Sequence, residues 1–440
     1  MARDERTGAL EIVRRLRAEG YEALFAGGCV RDEALGRTPK DYDVATSASA
    51  DRVLALFSGS VPVGAQFGVV LVPAGAARLE VATFRRDGTY LDARHPVEVH
   101  FGNAEDDAAR RDFTINGMFY DPIAERLIDY VDGQADLARG LIRAIGDPSA
   151  RVSEDKLRML RAVRLAARLG FEIEATTWDV IRRDATSITR MASERIGEEI
   201  RLILSEGAAA RGFELLHASG LLAVLLPEVA AMEGVEQSPE HHPEGDVWRH
   251  TLRVIDQLRD PSETVAFGAL LHDVAKPICA GRRGDRITFY GHPEQGALMA
   301  IEICRRLKRS RAVWERVAYL VRNHLRLVNA PKMRRATLKR FLREDGIDEL
   351  LEVARIDALG AGGDLQYVEF CRQALGELSH EEIRPEPLVT GRDLIALGHV
   401  PGPRFAEILH AVEEQQLEGT LGTRDDALAW VRDRFGVVER

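Results

Sequence analysis

Excess positive charge is missing from this sequence: 60 Lys and Arg stand against 70 Asp and Glu, a net charge of −10. That balance argues against a protein that coats nucleic acid nonspecifically, because neutralising phosphates needs many basic side chains on one surface. Any nucleic-acid contact is then expected from local basic patches. Cysteine is scarce too, and Cys29, Cys279, Cys304 and Cys371 lie far apart with no C-x-x-C spacing. Neither a disulfide framework nor a zinc knuckle is expected, and the thiols read as reduced. The chain has no apolar run of the roughly 18 residues that a membrane-spanning helix needs. Its opening, MARDERTGALEIVRRL, is charged and helix-like rather than a signal peptide, so a cytoplasmic protein is expected.

What is present is the composition of a soluble globular protein, 45% hydrophobic and 30% charged, in a chain of 440 residues that is too long for one ordinary core. Residues 1–140 mix two periods. Leu10, Ile12, Val13 and Leu16 recur at helical spacing up to Gly20, and short apolar runs follow at 23–26, 69–72 and 79–84. This pattern predicts a small mixed sheet with helices. Residues 141–225 turn to continuous helical periodicity rich in Arg, as in the run from Lys156 to Arg164. A turn-rich passage opens a second helical block over 226–380, and Arg384-Pro385-Glu386-Pro387 precedes a helical tail within 381–440. The fold class expected is α+β, a mixed-sheet head followed by all-helical regions.

Asp41-Tyr42-Asp43 falls where a strand pattern starts, and residues two apart on a strand project from one face. Both carboxylates can then meet one pair of hard cations, which suits Mg²⁺. Two such ions can bridge a triphosphate and an attacking 3′-hydroxyl, so no side-chain nucleophile is required. Ala26-Gly27-Gly28 follows the apolar run at 23–26 and opens a helix pattern, where backbone N–H groups can face phosphate oxygens. Arg31 is expected to add a bidentate phosphate contact. Either motif alone reads as solvated aspartates or an ordinary turn, but together they point to metal-dependent nucleotidyl transfer. Glu80 is the candidate third carboxylate. Further on, Arg110-Arg111-Asp112-Phe113-Thr114-Ile115-Asn116 offers arginines for a triphosphate and Asn116 for a sugar hydroxyl or the backbone.

These residues resemble the class II tRNA nucleotidyltransferase and bacterial poly(A) polymerase family, whose head is polymerase-β-like. The matching motifs are Gly27-Gly28-Cys29-Val30-Arg31-Asp32, Asp41-x-Asp43 and Arg110 to Asn116, followed by Gly146-Asp147-Pro148, Glu154-Asp155-Lys156-Leu157-Arg158 with Arg161 and Arg164, and Ser193-Glu194-Arg195-Ile196. In order and spacing they cover roughly residues 20–230. The resemblance implies that Glu154, Asp155 and Arg158 present hydrogen-bonding edges to the incoming CTP or ATP without a template. On one helix, Asp155 and Arg158 share a face, and Arg161 and Arg164 continue the stripe toward the triphosphate. Family members add all of CCA to a tRNA 3′ end, only CC, only the terminal A, or a poly(A) tail. Residues 87–96 look like the flexible loop of CCA- and A-adding members, with Ala93 where a glycine is common, and the 391–440 tail lacks the basic character of the tailing enzymes. CCA addition ranks first, A addition second and poly(A) synthesis third.

A second constellation centres on His272-Asp273 inside an apolar run. Adjacent ligand-type residues at a helix end can reach one ion if other helices supply partners. His250, His292, His324 and Asp357 stand at candidate positions, and the set resembles the HD phosphohydrolase domain. The resemblance implies that His250, His272, Asp273 and Asp357 bind a divalent metal of unknown identity, and that His292 and His324 complete a second position or contact phosphate. A water activated there would attack a phosphoester, with Lys276 neutralising the phosphate. Basic helical runs at 305–311 and 332–343 are candidates for tRNA phosphates, and His399 reads as a loop residue. Two other classes compete with a polymerase carrying an appended hydrolase. One is an HD hydrolase whose head only recognises RNA, and the other is an inert RNA-binding or assembly protein. The intact D-x-D, Gly-Gly and Arg110–Asn116 motifs count against the first of these, since a head that only binds would not need both metal carboxylates.

Overall fold

Short apolar and alternating runs near the N-terminus pair into a mixed sheet in the computed structural model, which describes residues 2–63, 68–87, 99–238 and 245–436. The strands are β1 (Ala23–Ala26), β2 (Asp43–Thr46), β3 (Val61–Pro62), β4 (Val69–Ala74), β5 (Ala77–Thr83), β6 (Arg85–Asp87), β7 (Val99–Phe101), β8 (Phe119–Asp121) and β9 (Arg126–Ile128). Seven of them form one sheet in the order β3-β4-β5-β2-β1-β8-β9, while β6 and β7 pair separately. All four residues of β1 are buried, as expected of a central strand covered on both faces. The helices of this region are α1 (Ala2–Ala18), α2 (Gly28–Ala34), α3 (Ala50–Leu56), α4 (Ala104–Ala109) and α5 (Gly133–Arg139). Leu24, Ala26, Ala45, Phe84 and Phe119 pack with Ala104 and Ala108 of α4 in one apolar cluster.

Register places the chemistry. β1 runs antiparallel to β2 with Ala26 opposite Asp43, so the Gly27 turn leaves the sheet beside that carboxylate. β2 runs parallel to β5 with Val44 opposite Val81, which brings Glu80 level with Asp43 from the neighbouring strand. α6 (Pro148–Glu154) and α7 (Arg158–Leu169) then open a helical region, in which the only strand pair among the described residues joins Leu141–Ile142 to Glu172–Ile173.

The chain divides into two units, Met1–Pro227 and Glu228–Arg440. In the second, the helix Glu263–Leu271 is apolar on every side and buried from Val265 to Leu271, which makes it a central core helix. A two-stranded hairpin, Gly281–Arg283 with Arg286–Thr288, interrupts the helical pattern. The last helices, Gly391–Ala396, Pro403–Glu418 and Arg424–Phe435, share an apolar cluster that includes Leu394, Ile408, Val412 and Val431. Among the described residues no helix is long and apolar enough to cross a membrane.

Candidate functional site

Gly27 has φ 75° and ψ −133°, a backbone state that L side chains rarely adopt. A Cβ there would lie 3.1 Å from Arg111 Nη1 and 3.7 Å from Asp43 Oδ2. Glycine therefore lets the chain turn directly against the carboxylate and start α2. A cavity of about 600 Å³ opens at this point, lined by Gly27, Gly28, Asp41, Asp43 and Glu80 together with Arg111, Arg158, Arg161 and Arg164. Burial, with the Asp41 and Glu80 carboxylates nearby, pushes Asp43 up to about 7 against the opposing pull of Arg111. Three carboxylates that repel one another in an arginine-lined cavity form a hard oxygen donor set, the kind that fits Mg²⁺.

The arginines of this cavity are not bare charges. Arg31 is buried and bonds Asp32 at 2.8 Å and Asn116 Oδ1 at 2.7 Å, so it braces the turn instead of offering the free phosphate fork expected of it. Asn116 is likewise engaged, donating to Asp112 at 3.1 Å, and is not left open for a sugar hydroxyl. Arg161 pairs with Asp112 at 2.7 Å, and Arg164 pairs with Glu199 at 2.7 Å and Glu206 at 3.0 Å, so both extend the stripe as neutralised pairs. Burial would raise Asp112, but Arg161 and Asn116 hold it below the usual carboxylate range. Arg111 is held at 2.9 Å by Asp107, one turn back on the chain.

Asp155 and Arg158 do not share a helix. α6 ends at Glu154, Asp155 is extended at φ −145° and ψ 105°, and α7 starts at Arg158. The Asp155 carboxylate accepts from the Leu157 amide at 3.0 Å and so begins the next helix, the local bonding that lets aspartate compete with helix continuation. Arg195 holds the same carboxylate at 2.7 Å, and Glu154 holds Arg158 at 2.7 Å. Asp155 and Arg158 still line the cavity together, whereas Glu154 stands behind Arg158. Two residues that the sequence reading missed shape the site, Asp107 and Arg168, and Arg168 meets Asp32, known from the sequence only as part of the glycine motif, at 2.9 Å. Helical spacing carried the signal for both, since Asp107 lies four residues before Arg111 and Arg168 lies seven after Arg161. The loop expected over 87–96 lies outside the described residues.

In the second unit the histidines converge. His250 Nε2 lies 2.9 Å from Asp357 and 3.3 Å from His272 Nε2, and Asp273 meets His272 at 3.2 Å and His292 at 3.4 Å. His324 Nε2 stands 3.8 Å from Asp273. His272, His292 and His324 each hold a backbone carbonyl three residues back through Nδ1, at 2.8, 2.8 and 2.7 Å, which aims Nε2 inward as in metal sites. Two overlapping groups, His250-His272-Asp273 and Asp273-His292-His324, bring their ligand atoms within 4.8 Å. Asp273 Oδ1 and His292 Nε2 are buried without a hydrogen-bond partner, so the donor set fits a divalent cation. Burial lowers His324 to about 4, which keeps its imidazole neutral and able to ligate.

Lys276 is not left free for a phosphate: it pairs with Asp273 at 2.7 Å and with Gln237 at 2.6 Å. A cavity of about 370 Å³ opens beside Asp273, His292, His324 and Asp357, walled by Phe289, Tyr290 and Leu325. The basic runs are partly neutralised, with Arg306 on Glu228, Arg311 on Glu315, and Arg340 and Arg343 on Glu413. His399 lies in a loop but is buried.

Comparison with known proteins finds three family matches in sequence order. They are the Poly A polymerase head domain over residues 23–143, the family described as "Probable RNA and SrmB- binding site of polymerase A" over 170–233, and the HD domain over 246–362. The A-adding tRNA nucleotidyltransferase of Deinococcus radiodurans is 32% identical over 93% of this chain and 95% of its own. A CCA-adding enzyme of Geobacillus sp. (strain WCH70) is 30% identical over 96% and 95%. The crystal structure of the Bacillus stearothermophilus CCA-adding enzyme in complex with CTP superposes with a TM-score of 0.76 at 27% identity, covering 98% of this chain and 97% of that one.

Proposed function

The chain belongs to the tRNA nucleotidyltransferase and poly(A) polymerase family and carries an HD domain, and from that premise we propose that it completes the 3′ CCA end of tRNA from CTP and ATP. The observation that carries this reading is the meeting of Asp41, Asp43 and Glu80 with the Gly27 turn in the arginine-lined cavity. Asp41 and Asp43, with Glu80, would hold Mg²⁺, which when bound lowers the pKa of the attacking 3′-hydroxyl and offsets charge on the departing pyrophosphate. Arg111, fixed by Asp107 beside Gly27, orients the triphosphate. Asp155 and Arg158, each held by an ion pair, meet the edge of the base with their orientation set in advance.

The likeness to a CCA-adding enzyme in complex with CTP supports CCA addition, and the 32% identity to an A-adding enzyme supports A addition. Purified protein with Mg²⁺ and a tRNA ending before CCA should incorporate both CTP and ATP, read as labelled product on a sequencing gel. Product formed only as one A on a tRNA already ending in CC would replace this reading with A addition. Gly27→Ala should lower kcat/KM for both nucleotides by about a hundredfold, since the new Cβ crowds Arg111 and the φ is strained. Steady-state kinetics beside a thermal melt separates that loss from unfolding.

For the second unit the proposal is a phosphohydrolase acting on RNA 3′ ends or nucleotides. His250, His272, Asp273 and Asp357 would hold a divalent cation, with His292 and His324 at a second position. A cation there lowers the pKa of an attacking water. Against its burial, His272 and then Lys276 keep Asp273 ionised, and the flanking cavity admits a phosphoester.

A further inference from the structure

Six side chains of the first unit close a ring. Arg168 Nη2 donates to Asp32 Oδ2 at 2.9 Å, and Arg31 Nε donates to the other oxygen of Asp32 at 2.8 Å. Arg31 Nη1 donates to Asn116 Oδ1 at 2.7 Å, Asn116 Nδ2 donates to Asp112 Oδ1 at 3.1 Å, and Asp112 Oδ2 meets Arg161 Nη2 at 2.7 Å. Arg161 and Arg168 stand about two turns apart on one face of α7, so the ring begins and ends on the same helix. Arg31, Asp32, Asp112 and Asn116 are all buried, at 4%, 3%, 7% and 9% exposure.

This is more than a site needs merely to pack, because apolar side chains could fill the same space at lower desolvation cost. A buried polar network instead fixes one geometry; here the Asp32 links are hydrogen-bonded, while Asp112 Oδ2 and Arg161 Nε have no hydrogen-bond partner among the described residues and their residues are joined by the ion pair alone. The three parts it ties together are α2, which starts at the Gly27 turn, the short turn Thr114–Asn116 just after Arg111, and α7, whose first residue is Arg158. The geometry points to Asp32 and Arg168 as positioning residues that set the angle between the phosphate-holding turn and the helix carrying Arg158, and through that angle decide which base is accepted. This inference rests on the proposed reading of Asp155 and Arg158 as the base-contacting pair. Arg168 is the member to remove, since Asp32 keeps Arg31 as a partner and stays neutralised.

The test measures single-nucleotide incorporation by the full chain on a tRNA ending before CCA, with CTP and with UTP, for Arg168→Met, Arg168→Lys and Arg158→Met. In Arg168→Met the ratio of kcat/KM for CTP over UTP should fall by about tenfold or more, the scale of a small misplacement in a reacting complex. Arg168→Lys, which keeps the charge, should recover part of the ratio. Equal loss with CTP and UTP alongside a lower melting temperature would overturn the inference and leave the ring a packing device. An unchanged ratio would overturn it as well. Arg158→Met gives the independent arm: if it keeps full CTP preference, the base-contact reading fails, whatever Arg168→Met shows.

Discussion

Asp43→Asn should lose at least about a thousandfold in CTP and ATP incorporation, because a cation that stabilises transition-state charge is worth several kcal/mol and each 1.36 kcal/mol is tenfold. The same variant should also melt later than the parent in EDTA. Burial and the neighbouring Asp41 and Glu80 raise the Asp43 carboxyl from 3.8 to about 7. The native state therefore binds more protons than the unfolded chain between those values, and stability falls as pH rises through that window. By pH 8 the full penalty is present, and removing the charge should return roughly 1–3 kcal/mol. By about pH 4, where the unfolded carboxyl also begins to take up its proton, most of the gain should be gone. Adding Mg²⁺ should stabilise the parent and leave the variant unmoved, closing the gap. Calorimetry at pH 4 and pH 8, with EDTA or Mg²⁺, reads all of this. A variant no more stable than the parent in EDTA would show that the three carboxylates do not strain one another.

Why the sequence showed some of this site and hid the rest follows from range. Gly27, Gly28, Asp41 and Asp43 sit within one short stretch, and a single antiparallel register brings Ala26 against Asp43, so the pattern could be read directly. Glu80 needed one further step, the parallel pairing of β2 with β5. The partners of the arginines were hidden, because Asp32 meets Arg168 across 136 positions and Asp155 meets Arg195 across 40. A stripe of arginines at helical spacing shows where charge lies and says nothing about what neutralises it. The break at Asp155 was hidden for a different reason. Apolar spacing runs on through Val152, Leu157 and Leu160, all buried, although one side-chain bond to the Leu157 amide has ended the helix between them. Strand pairs of two or three residues, such as Leu141–Ile142 and Gly281–Arg283, are too short to leave a period. The histidines could be read as ligand types. Their aim could not, because it comes from carbonyls such as those of Ala269 and Val321, which the last turn of a helix leaves unpaired.

His272→Ala combined with Asp273→Ala should abolish metal retention and metal-dependent phosphohydrolase activity, while CTP and ATP incorporation stays largely intact. Asp273 is the joint of the cluster: it touches His272, His292, His324 and Lys276, and both three-residue ligand groups include it. Its loss removes ligands from both groups at once. It also leaves Lys276 buried without its carboxylate, beside Gln237 and the Phe289 ring, and breaking a buried pair costs about 3–5 kcal/mol, so this unit should melt earlier as well. Asp273→Asn, which keeps the shape, separates the two effects. It should lose metal by elemental analysis after gel filtration, with a smaller drop in melting temperature than the double variant. Full metal content in Asp273→Asn would remove that carboxylate from the ligand set. Loss of nucleotide addition together with phosphohydrolase activity in the double variant would give the second unit a structural role for the first, because none of the groups altered belongs to the cavity of Asp41 and Asp43.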